Sequence, residues 1–289
     1  MRIRPLENLP RLDGARLSVL VENTARGAGI LGEHGLSFLL AGPEQSLLFD
    51  CGQGMCLSHN ASRMRVAWDR VRAIVFSHGH YDHVGGWAEA LARAPSADIF
   101  FHPDALRPKF QRRPNGRVEP VGDPAFIRAF SRSADRLHLT REPCHLFDGI
   151  WTTGEVPRRN RFEDSGGDFY DDPEGSRPDP LQDDLSLFFD TSKGLVVLLG
   201  CAHAGLINIL RTVRALAPGR PLHAVFGGMH LLHASSERMR RTITALRSLR
   251  PTHLAPCHCT GDAATARLRS AFPGAVLECH AGQSFTLPL

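Results

Sequence analysis

The amino-acid sequence predicts an α/β fold in which two sheets are sandwiched between helical layers, with an inserted segment in the middle. Three observations predict it. Apolar runs of strand length alternate with runs of helical spacing. A sheet-plus-helices half of this kind lies on each side of a polar, proline-rich stretch. Histidines stand just past the ends of several apolar strands, the edge where ligands converge in α/β sandwiches.

Taken in order, LSVLVEN (17–23), LSFLLAG (36–42) and SLLFD (46–50) read as strands set apart by Gly, Pro and Glu breakers. VRAIVFS (71–77) is an apolar run, WAEALARA (87–94) has helical spacing, and ADIFFH (97–102) is a further strand. LSLFFD (185–190) and GLVVLLG (194–200) form a hairpin across Thr191–Gly194. A helix covers about 205–217, LHAVFGG (222–228) is a strand, and SSERMRRTITALRSL (235–249) is a helix with Ser235 or Ser236 as its cap. THLAPCH (252–258) is a strand, 261–271 a helix capped by Thr260 or Asp262, and short strands near 275–278 and 284–287 end the chain.

Between about Pro103 and Pro180 proline, arginine and acidic residues crowd in, with short apolar patches such as AFIRAF and HLFDGIW. Five basic side chains, Arg107, Lys109, Arg112, Arg113 and Arg117, fall within 105–117, and 163–184 is strongly acidic. The stretch 103–180 reads as an insertion within one domain spanning 1–289, part of it a flap over the site; a solvated connector is the competing reading.

Composition bounds the function. Among 289 residues, 42% are hydrophobic and 22% charged, ordinary globular usage that allows a sizeable core. A net charge of +4, from 34 basic against 30 acidic residues, argues for neither nucleic acid nor membrane as a partner. No apolar stretch approaches the roughly 18 residues that span a bilayer, and no apolar run follows the basic start MRIRPLENLPRLDG. Seven cysteines, an odd count, suggest free thiols in a reducing compartment, so a soluble cytoplasmic protein is expected. Cys257 and Cys259 lack CxxC spacing.

The chemistry concentrates in S-H-G-H-Y-D-H at 77–83, where a strand ends and a helix begins. His78 and His80, two apart on an extended turn, can aim their imidazoles at one ion, while Asp82 and His83 turn toward a second. Gly79 removes bulk between two ligands, and Gly85 and Gly86 let the following helix sit close. Four residues do not close a binuclear site, so later ligands are needed: His203 in GCAHAG and His258 in PCHCTG are candidates. His230 in GGMHLL is a ligand, a transition-state hydrogen-bond donor, or a satisfied strand-end histidine. Cys201 is either a thiolate ligand or a small buried hydrophobe. Asp50, in LFDCG, is either a turn residue or a carboxylate that fixes an imidazole tautomer. The remaining histidines read as surface or polar-core residues, with His102 worth watching because it too ends a strand.

The run at 77–83 resembles the metallo-β-lactamase superfamily signature H-x-H-x-D-H. Longer blocks, VLVENT (19–24), EHGLSFLL (33–40), LLFDCGQG (47–54), GLVVLLGCAHAGLINIL (194–210), AVFGGMHLL (224–232) and CHCTG (257–261), resemble the subgroup of 7,8-dihydropterin-6-yl-methyl-4-(β-D-ribofuranosyl)aminobenzene 5′-phosphate synthases. The resemblance implies an αββα sandwich with a binuclear site: His78 and His80 on the first metal, Asp82 and His83 on the second, and His258 as the last ligand. The usual bridging aspartate is replaced here by Cys201 with His203 two residues on, and Asp183 and Asp184 stand near the place of a missing histidine. His203 is assigned as a ligand because the subgroup reads G-C-x-H.

The expectation is therefore a hydrolase with two divalent ions, zinc first and iron or manganese as alternatives, acting on an ester-type or phosphoester-type bond of a small molecule. Asp82 and His230 would be its catalytic side chains. The alternatives are a synthase that condenses a pterin with a ribosyl-aminobenzene phosphate, and a non-catalytic metal-dependent binding or sensing protein. Under the synthase reading Arg107, Lys109, Arg112 and Arg113 would grip a phosphate; otherwise they are an ordinary solvated loop.

Overall fold

A computed structural model describes residues 3–131 and 136–289; residues 132–135 of the predicted insertion and the first two of the chain lie outside the described residues. Its architecture is four-layered, helices on two sheets, as the alternation of apolar runs predicts. One sheet carries seven strands in the order Ser284–Thr286, Arg16–Val21, Ser37–Ala41, Ser46–Phe49, Val71–Val75, Asp98–Phe101 and Leu137–Leu139. The other runs His253–Cys257, Leu222–Gly228, Gly194–Leu199, Ser186–Thr191 and Trp151–Thr152.

Both sheets are covered on both faces, so their strands read as continuous apolar runs rather than as an in-out alternation. Within a strand the pleat still sorts side chains by parity. Val196 and Leu198 face the other sheet, beside Leu187, Phe189, Phe226, Phe49 and Val75. Their neighbours Leu195, Val197 and Leu199 face the helices Leu206–Leu216, Ser236–Leu249 and Asp262–Ala271, through Ile209, Val213, Met239, Leu246 and Leu268. On the opposite side Ile74, Phe76 and Phe101 pack against the helices Leu57–Arg63, Trp87–Arg93 and Pro124–Phe130.

Each sheet combines antiparallel and parallel pairing. Ser46–Phe49, Val71–Val75 and Asp98–Phe101 are parallel in the first; Gly194–Leu199, Leu222–Gly228 and His253–Cys257 are parallel in the second. The chain leaves these strands into Asp50, Ser77, Cys201, Met229 and His258, which places the chemistry at the strands' carboxyl ends.

Two expectations need correction, and the 103–180 stretch carries strands that the sequence does not predict: Leu137–Leu139 extends the first sheet, Trp151–Thr152 extends the second, and Phe110–Arg112, Val118–Pro120 and Phe169–Tyr170 form a small sheet of their own. Short strands with few apolar residues give no periodic signal, so the sequence reads them as loop. Neither Thr260 nor Asp262 caps the Asp262–Ala271 helix; Gly261 stands there without a side-chain cap, and the Thr260 hydroxyl accepts the Met229 N–H at 3.0 Å instead. The stretch near 275–278 makes only an isolated bridge, Val276 to Leu254.

Candidate metal centre

The tight turns at the strand ends hold four non-glycine residues in the left-handed region: Asp50 (φ 59°), Ala202 (58°), His230 (47°) and His258 (51°). Each such residue costs on the order of 1–3 kcal/mol, which the surrounding core must offset. The turns swing side chains from both sheets into one cavity of about 240 Å³, lined among others by His80, Asp82, Cys201, His203, His230 and His258.

Two donor clusters result. In the first, His78 Nε2 and His80 Nδ1 are 2.9 Å apart, and the His203 ring stands 4.8 Å from the His78 ring and 5.0 Å from that of His80. His203 Nε2 is buried without a hydrogen-bond partner. In the second, Asp82 Oδ2, His83 Nε2 and His258 Nε2 form a triangle with edges of 3.8, 3.3 and 3.2 Å. Tetrahedral zinc with ligands at about 2.0–2.1 Å requires donors about 3.3 Å apart, so the triangle fits a metal ion. Cys201 Sγ lies 3.1 Å from His83 Nε2, within reach of the same place. His34 Nε2 is 3.2 Å from Asp82 Oδ2 and is half exposed at the rim.

The outward nitrogens fix the tautomers. His83 Nδ1–H donates to Asp50 Oδ2 at 2.7 Å, His258 Nδ1–H to Asn23 Oδ1 at 2.8 Å, and His203 Nδ1–H to the Ser165 carbonyl at 2.8 Å. The Ser77 hydroxyl donates to Asp50 Oδ2 at 2.7 Å, which leaves its lone pair for His78 Nδ1–H at 2.8 Å. The inward nitrogens of His78 and His203 are thereby lone pairs, the arrangement a metal demands of imidazole, while those of His83 and His258 face Asp82 and become lone pairs when a metal displaces the proton held there. Gly79 fits between the two histidines because a Cβ there would lie 2.5 Å from the Ala105 carbonyl oxygen.

The electrostatics divide the clusters. Burial and the surrounding imidazoles push His78 and His203 well below the ordinary histidine range. Burial, helped by the Lys109 charge, takes His80 to about 3. Burial alone would lower His83 as well, but the carboxylates of Asp50 and Asp82 outweigh it and raise it to about 9. Burial opposes ionisation of Asp82; the His83 charge and hydrogen bonds from His258 and His34 more than offset that and hold it well below the usual range. The second cluster thus attracts a cation, whether a proton or a metal.

The other residues singled out in the sequence occupy varied places. Asp183 and Asp184 lie beneath the site: Asp183 accepts the Gly79 N–H at 2.9 Å, and Asp184 accepts that of Ala204 at 2.8 Å. Burial raises Asp184 to about 6. Lys109 is sealed between Asp179 and Asp183, 3.0 Å from each, and does not face the cavity. Arg107 pairs with Asp171, and Arg112 bonds the Gly175 carbonyl and lies over the Tyr170 ring. Arg113 lines the cavity while bound to Glu119 and Gln111. His102 accepts the Asp104 N–H and contacts Glu155, away from the clusters.

Several participants were not singled out from the sequence as parts of the site. Ser165 and Gly166 supply carbonyls to His203 and His230, Phe169 stacks on His80 with centroids 5.0 Å apart, and Asn23 holds His258. Cys259 brings its sulfur near Cys201 and His230, the three donor atoms all within 4.8 Å of one another. Only Ser77 and Cys259, beside the signature histidines, lay where a sequence signal could have found them.

Comparison with known proteins agrees with this fold. The profile described as the metallo-beta-lactamase superfamily matches residues 31–258. A curated relative from Methanocaldococcus jannaschii, 7,8-dihydropterin-6-methyl-4-(beta-D-ribofuranosyl)-aminobenzene-5'-phosphate synthase, is 27% identical over 96% of this chain and 98% of its own. A crystal structure described as Tm1679, a metal-dependent hydrolase of the beta-lactamase superfamily, is 28% identical with a TM-score of 0.79, covering 94% of this chain and 98% of that one. A diphosphatase from the PhnP family shares the fold at a TM-score of 0.54 and 14% identity, over 94% of this chain and 96% of that one.

Proposed function

The chain belongs to the metallo-beta-lactamase superfamily, and from that premise we propose that it is a metal-dependent hydrolase of an ester-type or phosphoester-type bond in a small molecule. The observation that carries the reading is the convergence of two donor clusters, His78, His80 and His203 beside Asp82, His83 and His258, on one open cavity. Those residues would hold two divalent ions, zinc first, which when bound would supply a water of pKa lowered toward about 7 and polarisation of the bond under attack.

The chain's own residues do the rest. Asp50, Ser77, Asn23 and the Ser165 carbonyl hold the imidazoles in the ligating tautomer. Asp82 contributes a carboxylate that stays ionised at neutral pH. His230 lines the cavity; burial lowers its pKa, the neighbouring Cys259 more than restores it, and the net rise suits it to give a proton to a leaving group. Arg113 and Gln111 of the insertion also line the cavity.

A second reading, a synthase joining a pterin to a ribosyl-aminobenzene phosphate, is favoured by near full-length similarity to the M. jannaschii enzyme. One experiment serves both. Metal content is measured by mass spectrometry on protein purified without added metal, and on a His80→Ala/Asp82→Ala variant. The holoprotein is then offered phosphoesters, thioesters and lactones, and separately a pterin with an aminobenzene acceptor. About two equivalents of metal, lost in the variant together with ester hydrolysis, are expected. Condensation without hydrolysis moves the synthase reading to first place, and absence of metal after reconstitution overturns both.

A further inference from the structure

We propose that Arg238 is the receptor of a substrate oxyanion, a phosphate or carboxylate group that lies beyond His230 from the metal centre. This deepens the reading above, by naming a second recognised group on the substrate. Arg238 is the third residue of the Ser236–Leu249 helix and is only 4% exposed. Its Nη1 donates to Asp164 Oδ1, but Nε and Nη2 are buried without a hydrogen-bond partner. A guanidinium carries five donors in a fixed fork that matches an oxyanion bidentately. Leaving two of its nitrogens, three N–H donors, unpaired in the interior is costly, and native proteins retain such a group where a ligand, an ion or an ordered water completes it.

The cavity beside it points to a substrate rather than a structural anion. Arg238, His230, His233, Asp164, Ser165 and Gly166 line a space of about 390 Å³. Gly166, His230 and His233 also line the metal cavity, so one extended molecule reaches both. The Arg238 charge is felt at His230, where it opposes protonation. The basic residues that the sequence offers for this task are engaged elsewhere: Arg107 with Asp171, Lys109 with Asp179 and Asp183, Arg112 with Gly175 and Arg113 with Glu119.

Asp164 is the resident competitor. Its side chain is 70% exposed and sits on a short loop, where Oδ1 accepts the Gly166 N–H at 2.8 Å as well as Arg238. An incoming oxyanion takes the free Nε and Nη2 donors while Asp164 swings toward solvent. Asp168, also on this cavity, repels an anion that is not held at the guanidinium.

Calorimetric binding of inorganic phosphate to the holoprotein tests this, with acetate as the carboxylate arm and metal content measured in every sample. Asp164→Asn keeps the shape and removes the competing charge, so phosphate affinity rises about fivefold. Arg238→Gln removes the receptor, so affinity falls about ten- to a hundredfold. Phosphate affinity untouched by both substitutions places the anion on the metals and overturns the proposal. Should Arg238→Gln fail to fold, the Asp164→Asn arm decides alone, since that residue is exposed: tightening supports the site and an unchanged constant refutes it. Binding needs no turnover, so a failed hydrolase assay leaves this result standing, and the reverse also holds.

Discussion

Replacing Asp50 by asparagine isolates what a single buried carboxylate does for both donor clusters. Asp50 is fully buried and left-handed, a backbone conformation asparagine tolerates, so the turn itself is preserved. Oδ1 accepts the Ser77 N–H at 2.7 Å, and an amide oxygen does this equally well. The change falls on Oδ2, which accepts from His83 Nδ1 and from the Ser77 hydroxyl, each at 2.7 Å. An NH₂ group there confronts His83 Nδ1–H donor to donor. Relief requires the other tautomer, which puts the proton on Nε2, the nitrogen that faces Asp82 and His258. The Ser77 hydroxyl loses its acceptor too and no longer orients His78 so firmly. Loss of such an outer partner weakens metal affinity about 10- to 100-fold, or about 1.4–2.7 kcal/mol. The second cluster should bear most of it. Chelator competition with metal quantified by mass spectrometry separates the two equivalents. Ser77→Ala serves as the control, because it weakens only the first. Two equivalents bound by Asp50→Asn with wild-type affinity would refute the tautomer argument.

The clusters should also part company with pH. His83 titrates at about 9 without metal, so a metal must displace its proton, and affinity at the second cluster falls about tenfold per unit below that value. His80, at about 3, is already neutral; lowering pH from about 8 to 6 should therefore release one equivalent on dialysis and keep the other, and simultaneous loss would contradict this. Lys109→Met leaves Asp179 and Asp183 as uncompensated buried carboxylates, which costs about 3–5 kcal/mol in denaturant unfolding; a stability within 1 kcal/mol of wild type, roughly the scale of an ordinary surface substitution, would show that the trio carries no such weight. Gly166→Ala places a Cβ 1.6 Å from His230 Cδ2 at a φ of +82°. Displacing that imidazole by about 1 Å should lower kcat about 100-fold in a folded protein, and unchanged turnover would remove His230 from the chemistry.

The four-layer arrangement was legible because both sheets are buried on two faces, and long apolar runs such as GLVVLLG and LHAVFGG announce that in one dimension. The first ligands were legible for a similar reason: His78, His80, Asp82 and His83 lie within one turn. The supports were not. Asn23 meets His258 across 235 residues and Ser165 meets His203 across 38, and neither pairing has a local pattern. Lys109 shows the opposite failure. Sequence places it in a basic run with Arg107 and Arg112, yet its ammonium turns inward between two aspartates whose approach depends on the tertiary fold. Arg238 reads as one more basic residue of an amphipathic helix, since burial of a single long side chain alters no periodicity.

The 103–180 stretch is stitched to the rest of the molecule at many points, three of which matter for its boundaries. Leu137–Leu139 finishes one sheet, Trp151–Thr152 finishes the other, and Glu163 accepts the Ile207 and Asn208 N–H groups at the start of the Leu206–Leu216 helix. Between the last of these anchors and Phe169 runs the loop that touches His80, His203 and His230. Cavity wall and sheet edges therefore belong to one segment. A loop graft from a relative would have to carry both edge strands with it, and a deletion meant only to widen the cavity would leave two sheets open to pairing with a neighbouring molecule.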